Sequence, residues 1–244
     1  MQHHPTPASL PRGSFPALVT LLLLAIPLLA MQFTEEVRWG PGDFLVMGAL
    51  LFGTELAFEW VLRRPGSSLL RIAAGLGLCS TLLMTWANLA VGLVGGEDNP
   101  ANAALLIVPV VGLAGSVLAR LRPRGMALTL ALMAGVHATI TALALASGWK
   151  PLRQGPVDVW GPNALFILLY LASAVLFWEA SGEATSPAAR ALRTVALLLI
   201  GGVIGAAGVY VGATDDAPGA TLLGAVVMVG AAALAFRMWQ RHRD

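Results

Sequence analysis

The sequence predicts an all-α, polytopic integral membrane protein, a bundle of about eight transmembrane helices with both termini in the cytoplasm. Three observations predict it. The 244 residues are 57% hydrophobic and 11% charged, against roughly 25% charged in soluble domains, and the mean hydropathy is +0.77. The apolar residues fall in runs of about 20, the length that crosses a hydrocarbon core of roughly 30 Å, with short polar punctuation between them. The basic residues gather in alternate connections, which is how a multi-pass chain fixes its orientation.

The predicted spans are 15–33, 43–62, 69–94, 102–121, 126–148, 163–180, 190–211 and 219–237. They divide the chain into a cytoplasmic N-terminal tail 1–14, the first four spans within 15–121, the last four within 122–237, and a cytoplasmic tail 238–244. The first span follows Arg12 and so also has the pattern of a signal peptide. Its apolar run extends from Phe15 to Phe33, and the candidate cleavage site at Leu28-Leu29-Ala30 is a poor match; the retained span is the stronger reading. The second span carries Glu55 and Glu59 one turn apart, and Glu59 precedes Arg63 by four, the favourable order for a helical ion pair. Glu55 lies deeper, where a carboxylate is costly unless neutral, paired or hydrated. It is a candidate proton or cation site, with pairing to Arg71 the structural alternative. The third span is long, which predicts tilt or extension beyond the bilayer. It holds Cys79, which has no partner for a disulfide or metal-ligand set, and Asn88, a polar helix-contact candidate.

The connection after the third span is the most distinctive local sequence. Gly92, Gly95 and Gly96 end the helix; Glu97, Asp98, Asn99 and Pro100 turn the chain; Asn102 opens the next helix. Asp98 or Asn99 suits a cap, and Pro100 suits the first helical position. Read functionally, Glu97, Asp98, Asn99 and Asn102 form an outward-facing cation or polar-ligand site; the plainer reading is a well-capped turn, repeated at Asp215-Asp216-Ala217-Pro218. In the fifth span, His137 sits near the middle with Thr139 and Thr141 nearby. A mid-membrane imidazole can relay protons, and more commonly it bonds a neighbouring helix. The other histidines, His3, His4 and His242, are terminal, which argues against a multi-histidine metal site or a haem. Glu179 near the end of the sixth span faces cytoplasmic arginines. The seventh span carries Gly201, Gly205, Gly208 and Gly212 at four- and three-residue spacing, a pattern for close packing within the monomer or, more sharply, for a dimer or partner face.

Orientation follows from charge. With eight spans, one side receives 12 of the 15 basic residues, three each at Arg63, Arg64, Arg71 and at Arg120, Arg122, Arg124; the other receives only Arg38, Lys150 and Arg153. The opposite side is acidic. An internal 4+4 repeat is a second reading: Pro11-Arg12-Gly13 reappears as Pro123-Arg124-Gly125, Trp39-Gly40-Pro41 as Trp160-Gly161-Pro162, and 94–124 aligns without gaps on 211–241. Apolar helices resemble one another, so the weight rests on the matched Arg and Asp positions. Two such halves would share orientation about an axis along the membrane normal.

The stretches Phe33-Thr34-Glu35-Glu36, Trp39-x-Pro41-Gly42-Asp43-Phe44, Trp86-x-Asn88-Leu-Ala-Val-Gly92 with Glu97-Asp98-Asn99-Pro100-Ala101-Asn102, and Arg122-Pro123-Arg124-Gly125-Met126-Ala127 resemble a family of uncharacterised bacterial inner-membrane proteins over roughly residues 15–180. The resemblance implies membrane location and carries no activity with it.

No phosphate loop, dinucleotide fingerprint, nucleophile elbow, His-Glu-x-x-His or CxxC is present, which disfavours ATP-driven and hydrolytic mechanisms. Basic residues at helix ends, not interleaved with aromatics, exclude a nucleic-acid surface. The expected function is therefore a non-enzymatic accessory or scaffold role, with no cofactor and with the lipid bilayer and a second copy or membrane protein as partners. A small secondary transporter or channel using Glu55 and His137 is the alternative. A lipid-directed intramembrane enzyme, which would need a metal held by Glu97 and Asp98, is a remote third.

Overall fold

The computed structural model describes residues 13–35, 37–96, 99–147 and 156–182, with isolated helical positions between 194 and 236. Every regular element among the described residues is helical: α1 (Ser14–Phe33), α2 (Pro41–Arg63), α3 (Ser68–Ala90), α4 (Ala101–Leu105), α5 (Ile107–Leu118), α6 (Pro123–Ala146) and α7 (Pro156–Ala180). With α4 and α5 taken as one interrupted span, six helices among the described residues are long and apolar enough to cross a membrane. Their exposed faces are lined by large apolar side chains, among them Phe15, Leu21, Phe33, Leu45, Leu113 and Leu128. In water such surfaces would be untenable; a lipid bilayer is the solvent that suits them.

The chain divides into two compact units, 1–65 and 66–244. The first is the antiparallel pair α1–α2. Its turn is fixed locally: the Gly40 N–H donates to the Asp43 carboxylate at 2.7 Å, Pro41 occupies the first helical turn, where its missing N–H is no loss, and Trp39 packs edge-on against Phe44. Gly48 lets the helices close, since a Cβ there would stand 3.3 Å from Leu24. At the far end of α2, the Arg64 guanidinium lies 3.4 Å over the Trp60 ring and Arg63 pairs with Glu59.

The second unit is built on α3, α6 and α7. Ser67 caps α3, its hydroxyl accepting from the Leu70 N–H at 3.2 Å. Gly77 is the close-packing point: a Cβ there would stand 2.9 Å from Ser173 Oγ and 3.3 Å from Leu130 Cδ2. One residue from each of the three helices thus meets in a single layer. The Ser173 hydroxyl donates to the Ala73 carbonyl at 2.8 Å. Asn163, ten residues earlier in α7, reaches Leu93, just beyond the other end of α3; α3 and α7 are therefore antiparallel. α5 packs on α6 through Gly112 against Met133 and Gly115 against Thr129.

The observed elements depart from the sequence expectation at three places. The expected fourth span is broken at Leu106. Pro109 has no N–H to offer the Leu105 carbonyl, and its ring crowds that carbonyl; the chain tightens instead, the Leu106 N–H donating to Ala103 O at 3.3 Å. The expected third span stops at Ala90 rather than 94, because Gly92 turns left-handed at φ +71°. The sixth starts at Pro156 instead of 163, and Pro162 is carried inside it. The α5–α6 turn places two non-glycine residues, Arg120 and Leu121, at φ +49° and +56°, a conformation that costs about 1 kcal/mol or more per residue. Spans seven and eight, and with them the last two spans of the second half of the 4+4 repeat, lie outside the described residues apart from isolated positions.

Candidate functional site

The densest polar chemistry lies inside the second unit, where the segment 91–100 leaves the helical regime. Leu93 and Val94 are buried, yet their backbone has no helical partners. A buried backbone polar group without a partner costs about 1–3 kcal/mol, and non-helical backbone at membrane depth persists only when protein supplies the bonds. Asn102 and Asn163 supply them, and Asn88 holds Asn102. Asn102 accepts from the Val94 N–H through Oδ1 at 2.9 Å and donates from Nδ2 to Gly96 O at 2.6 Å. Asn88 donates to the Asn102 carbonyl at 2.9 Å. Asn163 donates to Leu93 O at 2.9 Å and to Val159 O at 2.7 Å. Gly92 is required for the fold-back twice over: its φ is left-handed, and a Cβ would collide with Gly96 O and Asn102 Nδ2.

His137 sits beneath this segment, fully buried. One ring nitrogen, Nε2, lies 2.7 Å from Asn163 Oδ1. Two carbonyls facing Asn163 Nδ2 fix the amide orientation, so Oδ1 is the acceptor and His137 Nε2 must carry the proton. Nδ1 of the neutral ring is then a bare lone pair, and it has no partner among the described residues. The imidazole stacks on Phe166 at 6.4 Å and lies 6.3 Å from the Tyr170 ring, centroid to centroid. The Thr141 hydroxyl donates to the His137 carbonyl at 3.0 Å, and Thr139 donates to Gly135 O away from the ring. Tyr170 is also fully buried. Thr81 stands beside its hydroxyl without a hydrogen bond of good geometry between them; the Thr81 hydroxyl donates to Gly77 O instead.

The other candidates are placed as follows. Glu55, in the first unit, is half-buried and accepts from the Thr20 hydroxyl at 2.9 Å, a bond that ties α2 to α1. Arg71, the other partner considered for it, belongs to the second unit. Asn99 accepts from the Ala101 N–H at 2.9 Å, a local cap for α4. Glu97 and Asp98 lie outside the described residues, as do Gly208 and Gly212. Gly201 and Gly205 are helical and buried within the single chain, a setting that suits packing inside the monomer. Glu179 is buried at the end of α7. Among the described residues no three His, Cys, Asp or Glu side chains gather as a metal would require.

The structure joins Asn88, Asn102 and His137 in one neighbourhood and leaves Glu55 in another. It also brings in two residues that sequence reasoning passed over. Asn163 was placed at the mouth of a span and is in fact two turns inside α7. Tyr170 was not singled out. Their signal was the spacing Asn163, Phe166, Tyr170, Ser173, a polar-aromatic stripe along one helix face. No protein family, curated protein or solved structure matches this chain.

Proposed function

We propose that this chain is a non-enzymatic accessory or scaffold component of a bacterial inner membrane, threaded eight times with both termini in the cytoplasm, and akin to the uncharacterised inner-membrane family that its motifs resemble. One observation supports the role above others: five buried polar side chains of the second unit bond the chain's own backbone. Asn88, Asn102 and Asn163 hold the 91–102 segment, Ser173 ties α7 to α3, and Thr141 bonds within α6. Coupled transporters keep ionisable groups free in the midplane; here the imidazole Nε2 is committed to an amide that cannot pass a proton on, so a relay through His137 is interrupted on that side. The 12-to-3 division of basic residues supports the orientation.

Native mass spectrometry of the protein extracted gently from its own membrane tests the role. A stoichiometric protein partner or second copy is expected. A stoichiometric ion or solute without such a partner would move the assignment to the alternative, a small transporter or channel, which the unpartnered Nδ1 of His137 favours. Orientation is checked by thiol labelling in intact cells of single cysteines placed at Gly66 and Asn99 after Cys79→Ser: only the position at Asn99 should react with an impermeant reagent.

A further inference from the structure

We infer that the centre of the second unit binds a small neutral hydrogen-bond donor, water or the hydroxyl of a small uncharged molecule, between His137 Nδ1 and the Tyr170 hydroxyl. The inference does not depend on the scaffold reading. It rests on the two fully buried side chains just described. The tautomer imposed by Asn163 makes Nδ1 an acceptor and nothing else. The Tyr170 hydroxyl, one ring away on α7, both donates and accepts, and neither atom has a partner of good geometry among the described residues. An acceptor and a hydroxyl call for a guest with a proton to give.

The guest is neutral for a reason of charge. Among the described residues, the groups shown bonded to or packed beside the pair are Asn163, Phe166, Thr141 and Thr81, and none of these four is a carboxylate. A cation held by these groups alone would stand in a medium of low dielectric with no counter-charge among them, which is prohibitively costly. A molecule with three or so hydrogen bonds to otherwise unpaired polar groups is the ordinary content of such a place.

The test is nitrogen NMR in lipid nanodiscs on protein with ring-labelled histidine, with His3→Gln, His4→Gln and His242→Gln leaving His137 as the single probe. The expected result is an Nε2–H tautomer whose Nδ1 resonance is displaced from the position of an unbonded imidazole nitrogen. Magnetisation transfer from bulk water to the site identifies water as the donor. Displacement without transfer identifies a hydroxyl guest, which native mass spectrometry then weighs. Tyr170→Phe should return Nδ1 toward the unbonded position and lower Tm by about 2–4 °C, since it removes one leg of the bridge. A wild-type Nδ1 already at the unbonded position overturns the proposal, whatever the variant does. So does an Nδ1 that Tyr170→Phe leaves unmoved. A rise in Tm on Tyr170→Phe overturns it as well, because deleting a hydroxyl that has no partner relieves its burial cost.

Discussion

The two units of this chain solve the same problem with different means. In the α1–α2 pair many side chains are exposed, the Thr20–Glu55 hydrogen bond crosses between the helices, and the turn is closed by residues adjacent in sequence. In the α3–α7 unit the core is polar as well as apolar, and its bonds join residues as far as 100 positions apart. The difference teaches where specificity comes from in lipid. Apolar contact alone does not distinguish a neighbouring helix from an acyl chain, so a defined arrangement needs close approach and interhelical hydrogen bonds. The second unit has both, at Gly77 and at the asparagines; the pair α1–α2 has Gly48 and the Thr20–Glu55 bond.

The comparison predicts a graded set of costs. Asn163→Leu strands the His137 Nε2–H and the Leu93 carbonyl together, and unfolding in nanodiscs should show a loss of roughly 3 kcal/mol. Gly92→Ala forces a Cβ into Gly96 O and Asn102 at a left-handed φ, and should cost about 2 kcal/mol by the same assay, with faster amide exchange at Val94. Ser173→Ala removes one bond between α7 and α3 and should cost about 0.6 kcal/mol, the usual worth of an interhelical bond in a membrane. Smallest is Glu55→Gln: the amide oxygen can still accept from Thr20, so stability should change by under about 0.5 kcal/mol. Equal losses for Asn163→Leu and Glu55→Gln would break the contrast between the units. Loss of a transport activity in Glu55→Gln with stability intact would revive the alternative function.

Hydropathy made the positions of six spans legible, because a span is a property of about 20 consecutive residues. The interruption at Leu106 was also legible in principle, since Pro109 carries the reason within four residues. The fold-back at Gly92 was half legible: three glycines and a proline announced a turn, but whether 91–100 faced solvent or returned to the interior depended on Asn163, 70 positions away from Leu93. The site suffered most from that distance. His137 stood out because a histidine is rare in a span, whereas the partner that fixes its tautomer looked like an ordinary interfacial asparagine. Glu55 drew attention as a buried charge; its bond to Thr20 pairs residues 35 apart, which no local pattern records.

The bond between Leu93 and Asn163 also sets a clock. A ribosome adds about 5–20 residues per second, so roughly 4 to 14 s pass between the synthesis of the Leu93 carbonyl and that of the amide that donates to it, a separation of 70 residues. Throughout that interval the fold-back cannot close, and the nascent chain must keep this short stretch at the lipid–water boundary or in the care of the insertion machinery. The α1–α2 hairpin, whose crossing bond needs only 35 residues, is complete long before. Assembly of this protein is therefore ordered in time, with its first unit finished while the second still waits for its keystone.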